Sequence, residues 1–164
     1  MNKTRIIFMI LLLLISCLSY AQNRISLSNR NPIYMEMLGD FSADAPKKII
    51  TDDSQWLNYT TIVQESDPSI SISIQLVSGS IPNGLELQVE AIPYKGMSKS
   101  RPGIPSGKMR VTNMPRVLIN NIGTSYTGTG RYEGHQLIFS YKINDYSKLK
   151  SGTSTIYVQY TITQ

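Results

Sequence analysis

Beyond residue 22, apolar and polar side chains alternate with period two over much of the chain, and the three-to-four spacing of an amphipathic helix is nearly absent. From Ser69 to Val77, Ile70, Ile72, Ile74 and Leu76 share one face, while Ser71, Ser73 and Gln75 share the other. From Thr153 to Thr163 the inward set is Ile156, Val158, Tyr160 and Ile162. Leu85, Leu87, Val89 and Ala91 give a third run, and Leu137, Phe139, Tyr141 and Ile143 a fourth within Gln136 to Ile143. Each pattern predicts a half-buried strand. Weaker strand patterns cover Arg24–Ser28, Ile33–Leu38, Lys47–Thr51, Trp56–Val63, Lys108–Thr112 and Arg116–Asn121. Between the first and third runs, Pro82 presets φ and Asn83-Gly84 tolerate positive φ. That connection predicts a β-hairpin.

Seven to nine short strands punctuated by Gly, Pro and Asn predict an all-β fold: a two-layer antiparallel sandwich of immunoglobulin-like or jelly-roll type. A parallel sheet would need crossover helices that the chain lacks. Asp145 to Gly152 reads as one helical turn, capped by Asp145 and stopped by Gly152, that carries the chain from one sheet to the other with Leu149 closing the bottom of the core. Pro93 to Pro105, rich in Gly, Pro and basic residues, reads as a long exposed loop. With 164 residues the chain has room for one such domain, assigned to residues 22–164.

Residues 1–21 have the form of a signal peptide. Lys3 and Arg5 precede the apolar run Ile6 to Ile15, which is shorter than the roughly 20 residues an anchoring helix needs. Ser19 and Ala21 flank Tyr20 as a peptidase would require, which places cleavage before Gln22. Leu14-Ile15-Ser16-Cys17 offers the competing reading of a lipoprotein acylated at Cys17. Either way the expected location is the periplasm, the cell surface or the medium. No second apolar stretch has spanning length, so the mature chain is expected to carry no transmembrane segment.

The chain has one Cys and one His. That leaves no material for a disulfide framework, a Cys/His metal site or a Cys-His nucleophile. Separated carboxylates such as Asp52, Asp53, Glu65, Asp67 and Glu133 form no recognisable acid pair, so neither an enzyme nor a cofactor is expected. Asp52-Asp53-Ser54 suits a loop or strand-entrance turn better than calcium. His135 reads as a hydrogen-bonded turn residue rather than a metal ligand. Thr124 to Gly130 has the glycines and hydroxyls of a phosphate cradle without its lysine or helix, and reads as a tight turn or bulge. Asn58-Tyr59-Thr60 is formally a glycosylation sequon, expected to be silent behind a bacterial type of signal.

Charge is divided unevenly. Gln22 to Ala91 holds four basic and nine acidic residues, and Ile92 to Gln164 ten basic and two acidic. Lys95, Lys99, Arg101, Lys108, Arg110, Arg116 and Arg131 follow one another with no acidic residue between Pro93 and Tyr132. The first five are candidate contacts for an anionic surface or glycan. No nucleic-acid-binding pattern accompanies them. Ten tyrosines and one tryptophan supply material for a sugar-stacking platform. Tyr59, Tyr141 and Tyr160 fall in buried registers, while Tyr126, Tyr132 and Tyr157 suit exposed faces.

Several phrases carry a resemblance: Trp56-Leu57-Asn58-Tyr59-Thr60, Ile81 to Leu87, Ile122-Gly123 leading to Tyr126-Thr127-Gly128-Thr129-Gly130, Gly134 to Leu137, and Ser151-Gly152-Thr153 followed by a strand ending Tyr160-Thr161-Ile162-Thr163. From Trp56 onward the chain resembles small secreted bacterial β-sandwich proteins distantly similar to fimbrial subunits of the spore coat protein U and chaperone-usher pilin type. That resemblance implies a non-enzymatic structural or surface protein acting through β-strand pairing. Its expected partners are copies of itself, related subunits or a periplasmic chaperone, with Ile25, Leu27, Ile156, Val158, Tyr160 and Ile162 as the strand-pairing surface. The chain departs from the pattern in its short N-terminal alternation, broken at Asn29-Arg30-Asn31-Pro32, and in its single cysteine. The alternative expectation is a secreted module that binds glycan or an anionic surface.

Overall fold

A computed structural model describes residues 23–28, 31–35, 50–96 and 101–164. The segment 1–21, with Cys17, lies outside these residues, as do Lys99, residues 47–49 and half of the Ile33–Leu38 pattern. Ten strands are present among the described residues: β1 (Arg24–Leu27), β2 (Ile50–Thr61), β3 (Ile70–Ser78), β4 (Leu85–Ala91), β5 (Ile104–Pro105), β6 (Met109–Arg110), β7 (Arg116–Ile122), β8 (Ser125–Tyr126), β9 (His135–Ile143) and β10 (Tyr157–Thr163). All pairings are antiparallel. One sheet runs β1-β2-β9-β4-β6, with β8 also on β2, and the other runs β10-β3-β7-β5. The two sheets pack into a β-sandwich. No helix among the described residues is long and apolar enough to cross a membrane.

The alternation sets the core. Ile70, Ile72 and Ile74 of β3, Leu87 and Val89 of β4, and Leu137 and Phe139 of β9 are buried, while Ser71 and Ser73 of β3 and Glu86, Gln88 and Glu90 of β4 are partly exposed. On β7 the strict period breaks, and the adjacent Leu118 and Ile119 are both fully buried. The register against β3 shifts there, so two successive residues turn inward as at a bulge. Asp52-Asp53-Ser54 occupies a similar irregularity inside β2, between the pairs Asp52–Phe139 and Gln55–Leu137. The Asp52 carboxylate accepts the Ser54 N–H at 3.0 Å and its hydroxyl at 2.7 Å. These residues therefore sit within a strand and not in a loop or at a strand entrance, and part of the Lys47–Thr51 pattern runs on into Trp56–Val63 as the single strand β2.

The expected hairpin does not form. β3 lies in the four-stranded sheet and β4 in the six-stranded one, so Gly79 to Gly84 arches between the layers. Gly84 has φ +82°, and its carbonyl accepts the N–H groups of Asn144 (2.8 Å) and Asp145 (3.2 Å). A Cβ on Gly84 would lie 2.3 Å from the Asp145 carbonyl oxygen, so only glycine allows this approach. The arch is thus docked on the second crossover, from β9 to β10. That crossover holds the short helical turn Tyr146–Lys148, whose cap Asp145 accepts the Ser147 N–H. The turn ends at Leu149 rather than at Gly152. Leu149 is half-buried and leans on Gly84 at the rim of the core. Of the weaker patterns, Ile33–Met35 forms no strand, and Pro93–Pro105 is not entirely loop, because Ile104 and Pro105 form β5.

Candidate functional site

On the outer surface of the six-stranded sheet, a groove of about 560 Å³ opens between the 92–96 segment and the 126–134 turn. Ligand pockets typically measure about 300–1,000 Å³. Trp56 on β2 and Gln136 on β9, a paired couple in the register, form its base. Tyr126, Tyr132, Tyr94 and Lys95 line it from the two walls. The Tyr132 ring meets Trp56 edge to face, with centroids 5.5 Å apart and planes at 69°. The Arg131 guanidinium lies 5.1 Å from the Tyr132 ring centroid, which adds a cation–π contact. Tyr126 and Tyr132 are exposed, as their positions predicted, at 58 % and 71 %.

The wall that carries Tyr132 is fixed by its own acid. The Glu133 carboxylate accepts the N–H groups of Thr129 (2.7 Å) and Gly130 (2.9 Å), filling the cradle with a side chain of this protein. Those two amides, Gly130 foremost, hold the Glu133 carboxyl below its usual range. Gly134, at φ +78°, brings the chain onto β2, where a Cβ would come within 2.2 Å of the Leu57 carbonyl oxygen. Asn58 is fully buried and donates to the Gly130 carbonyl at 3.3 Å.

The opposite wall hangs on His135, which is fully buried as the first residue of β9. Its Nδ1–H donates to the Ile92 carbonyl at 2.8 Å, and its Nε2 lies 3.2 Å from the Pro102 carbonyl oxygen and 3.0 Å from the Tyr59 hydroxyl. The Tyr59 hydroxyl also donates to Pro102. The His135 ring stacks on Tyr59 (5.8 Å, 13°) and tilts against Tyr94 (6.0 Å, 39°). Two buried side chains thus tie down both ends of the segment that carries Tyr94 and Lys95. Burial pushes the His135 imidazolium toward deprotonation and raises the Tyr59 phenol well above its ordinary value. His135 is thus hydrogen-bonded as its sequence position suggested, but it is a buried strand residue rather than a turn residue, and its fastening role rests on contacts 33 to 76 residues away.

Among the described basic residues, Arg116 meets Arg110 beside β6. Lys108 and Arg110 lie along the sheet edge at β6, 3.8 Å from Glu90 and Glu86 of β4. Arg101 donates to the Asn121 side chain at 3.1 Å, and Arg116 donates to the Arg110 carbonyl at 3.4 Å. Of the five anionic-surface candidates, Lys95 lines the groove. Ile25 and Leu27 pair with Tyr59 and Leu57 of β2, while Ile156, Val158, Tyr160 and Ile162 pack half-buried against the protein's own core. No three His, Cys, Asp or Glu side chains gather at metal-binding distance among the described residues. Comparison with family models, curated proteins and solved structures finds no match for this chain.

Proposed function

We propose that this protein is a non-enzymatic exported β-sandwich that binds glycan in the aromatic groove. The observation that carries this reading is the gathering of Trp56, Tyr94, Tyr126 and Tyr132 around one concave surface. Aromatic faces supply rigid apolar area for the C–H faces of sugar rings, at little cost in side-chain entropy. Gln136, Thr127 and the tyrosine hydroxyls supply donors and acceptors to orient a polar ligand. Because Glu133 is engaged with backbone amides, Lys95 is the lining charge left to meet an acidic substituent. A subunit that lacks a strand is the weaker reading, because β1 already pairs with β2 of the same chain.

The single tryptophan makes the test direct, since all indole emission comes from the groove. Titration with neutral and uronate-containing oligosaccharides is expected to change that emission saturably. Tyr132→Ala should weaken binding about tenfold, as expected for loss of an aromatic contact worth about 0.5–1.5 kcal/mol. Lys95→Ser should weaken only the acidic ligands. Both side chains are exposed, so the unfolding midpoint should stay nearly constant. Unchanged emission and no retention on either glycan class would refute the proposal.

A further inference from the structure

The sandwich has four sheet margins, and three of them carry features that discourage pairing. β1 has four residues, includes Arg24 and is followed by Pro32. β6 has two residues, includes Arg110 and follows Lys108. β5 is two residues long, includes Pro105 and follows Pro102. Short strands, lysine, arginine and proline are the usual means of blunting an edge. The fourth margin, β10, differs: it is seven residues long, and from Thr153 to Gln164 the chain has no charged residue, no proline and no glycine. Its inner edge pairs with β3, and no strand among the described residues pairs with its outer edge.

The side chains of β10 match the backbone. Ile70, Ile72 and Ile74 of the neighbouring β3 are fully buried, whereas Val158, Tyr160 and Ile162 of β10, at the margin of the sandwich near β1, are half-buried. The outward residues Tyr157, Gln159, Thr161 and Thr163 are uncharged and exposed. We infer that the outer edge of β10 pairs antiparallel with β10 of a second copy, joining the two four-stranded sheets into one of eight strands. A two-fold axis at Tyr160 would set Val158 opposite Ile162 of the other copy on the inward face, and Gln159 opposite Thr161 on the outward face. Apolar side chains would then meet apolar ones, and uncharged polar ones their like, which are favourable cross-strand pairs. With no charge along the edge, nothing repels an identical strand. The groove on the other sheet takes no part, so this inference stands independently of the glycan reading.

Sedimentation of the purified exported chain over a range of concentrations tests it. The wild type should dimerise, and Gln159→Lys/Thr161→Lys should dissociate at least tenfold more readily, with an unfolding midpoint matching the wild type's at dilutions where both are monomeric. Gln159→Glu/Thr161→Glu should behave alike, and an equimolar mixture of the two double variants should restore the dimer. A wild type that stays monomeric throughout overturns the inference, as do double variants that dimerise normally or a mixture that stays dissociated. Amide exchange on the wild type gives a reading independent of variant folding. Outward N–H groups of β10 should gain protection as concentration rises, and protection independent of concentration would assign that edge to another segment of the same chain and overturn the inference.

Discussion

Ile72→Ala is expected to lower unfolding free energy by about 2–5 kcal/mol, the usual cost of truncating a buried isoleucine. Ile72 has 0 % of its surface exposed and lies level with Ile119 of β7 on one side and Ile162 of β10 on the other. Truncation would open a cavity along this row, and the hydrogen-bonded strands on both sides limit how far the backbone can relax into it. For a domain stable by about 5–15 kcal/mol, such a loss is a large fraction of the total. Urea unfolding provides the check: the midpoint should fall while the slope is unchanged. Ile104→Ala, at a side chain 58 % exposed, should shift stability by less than about 0.5 kcal/mol.

Acidification should destabilise the fold through His135. Its folded-state pKa is depressed, first of all by burial, with hydrogen bonds to Ile92 and Pro102 opposing the shift. The unfolded chain takes up a proton near the ordinary histidine value of about 6.5, whereas the folded chain resists it. Below that value the unfolded state binds more protons, so stability is full above pH 6.5 and declines as pH falls toward the depressed folded value. The slope cannot exceed about 1.4 kcal/mol per pH unit for one proton. His135 is the only histidine, so His135→Gln should flatten the stability profile between pH 7.5 and 5.5, even though the variant is less stable throughout. Equal slopes in the two proteins would show that another group titrates there. Glu86, Glu133 and Asp145 are held below the usual carboxylate range and act at lower pH.

The strong alternations of β3, β4, β9 and β10 were legible because period two states which side chains turn inward, whatever the partner strand. The same period says nothing about which sheet a strand joins. Pro82 and Asn83-Gly84 suit a tight reversal, but in the fold Gly84 instead receives Asn144 and Asp145 across the end of the sandwich, and β9 takes the place beside β4. At the groove, the exposure of Tyr126 and Tyr132 was legible from positions suited to exposed faces. Their union with Trp56 and Tyr94 was not, since it depends on the β2–β9 register and on the fastening of Ile92 by His135. The surroundings of the basic run were not legible, because adjacency in sequence is not adjacency in space: β6 carries Arg110 to Glu86, which lies 24 positions earlier.

The burial of Asn58 bears on how the protein can be produced. Asn58-Tyr59-Thr60 satisfies the acceptor pattern for N-linked glycosylation, and its asparagine is wholly enclosed once β2 has paired with β1 on one side and with β8 and β9 on the other. In a eukaryotic secretory lumen, a sugar transferred to the nascent chain would have to be housed beside Tyr59 and the Gly130 carbonyl, where there is no room for it. Modification and folding therefore compete for the same residue, and a secretory host of that kind would divide the product into a folded bare fraction and a glycosylated fraction unable to close its sheet.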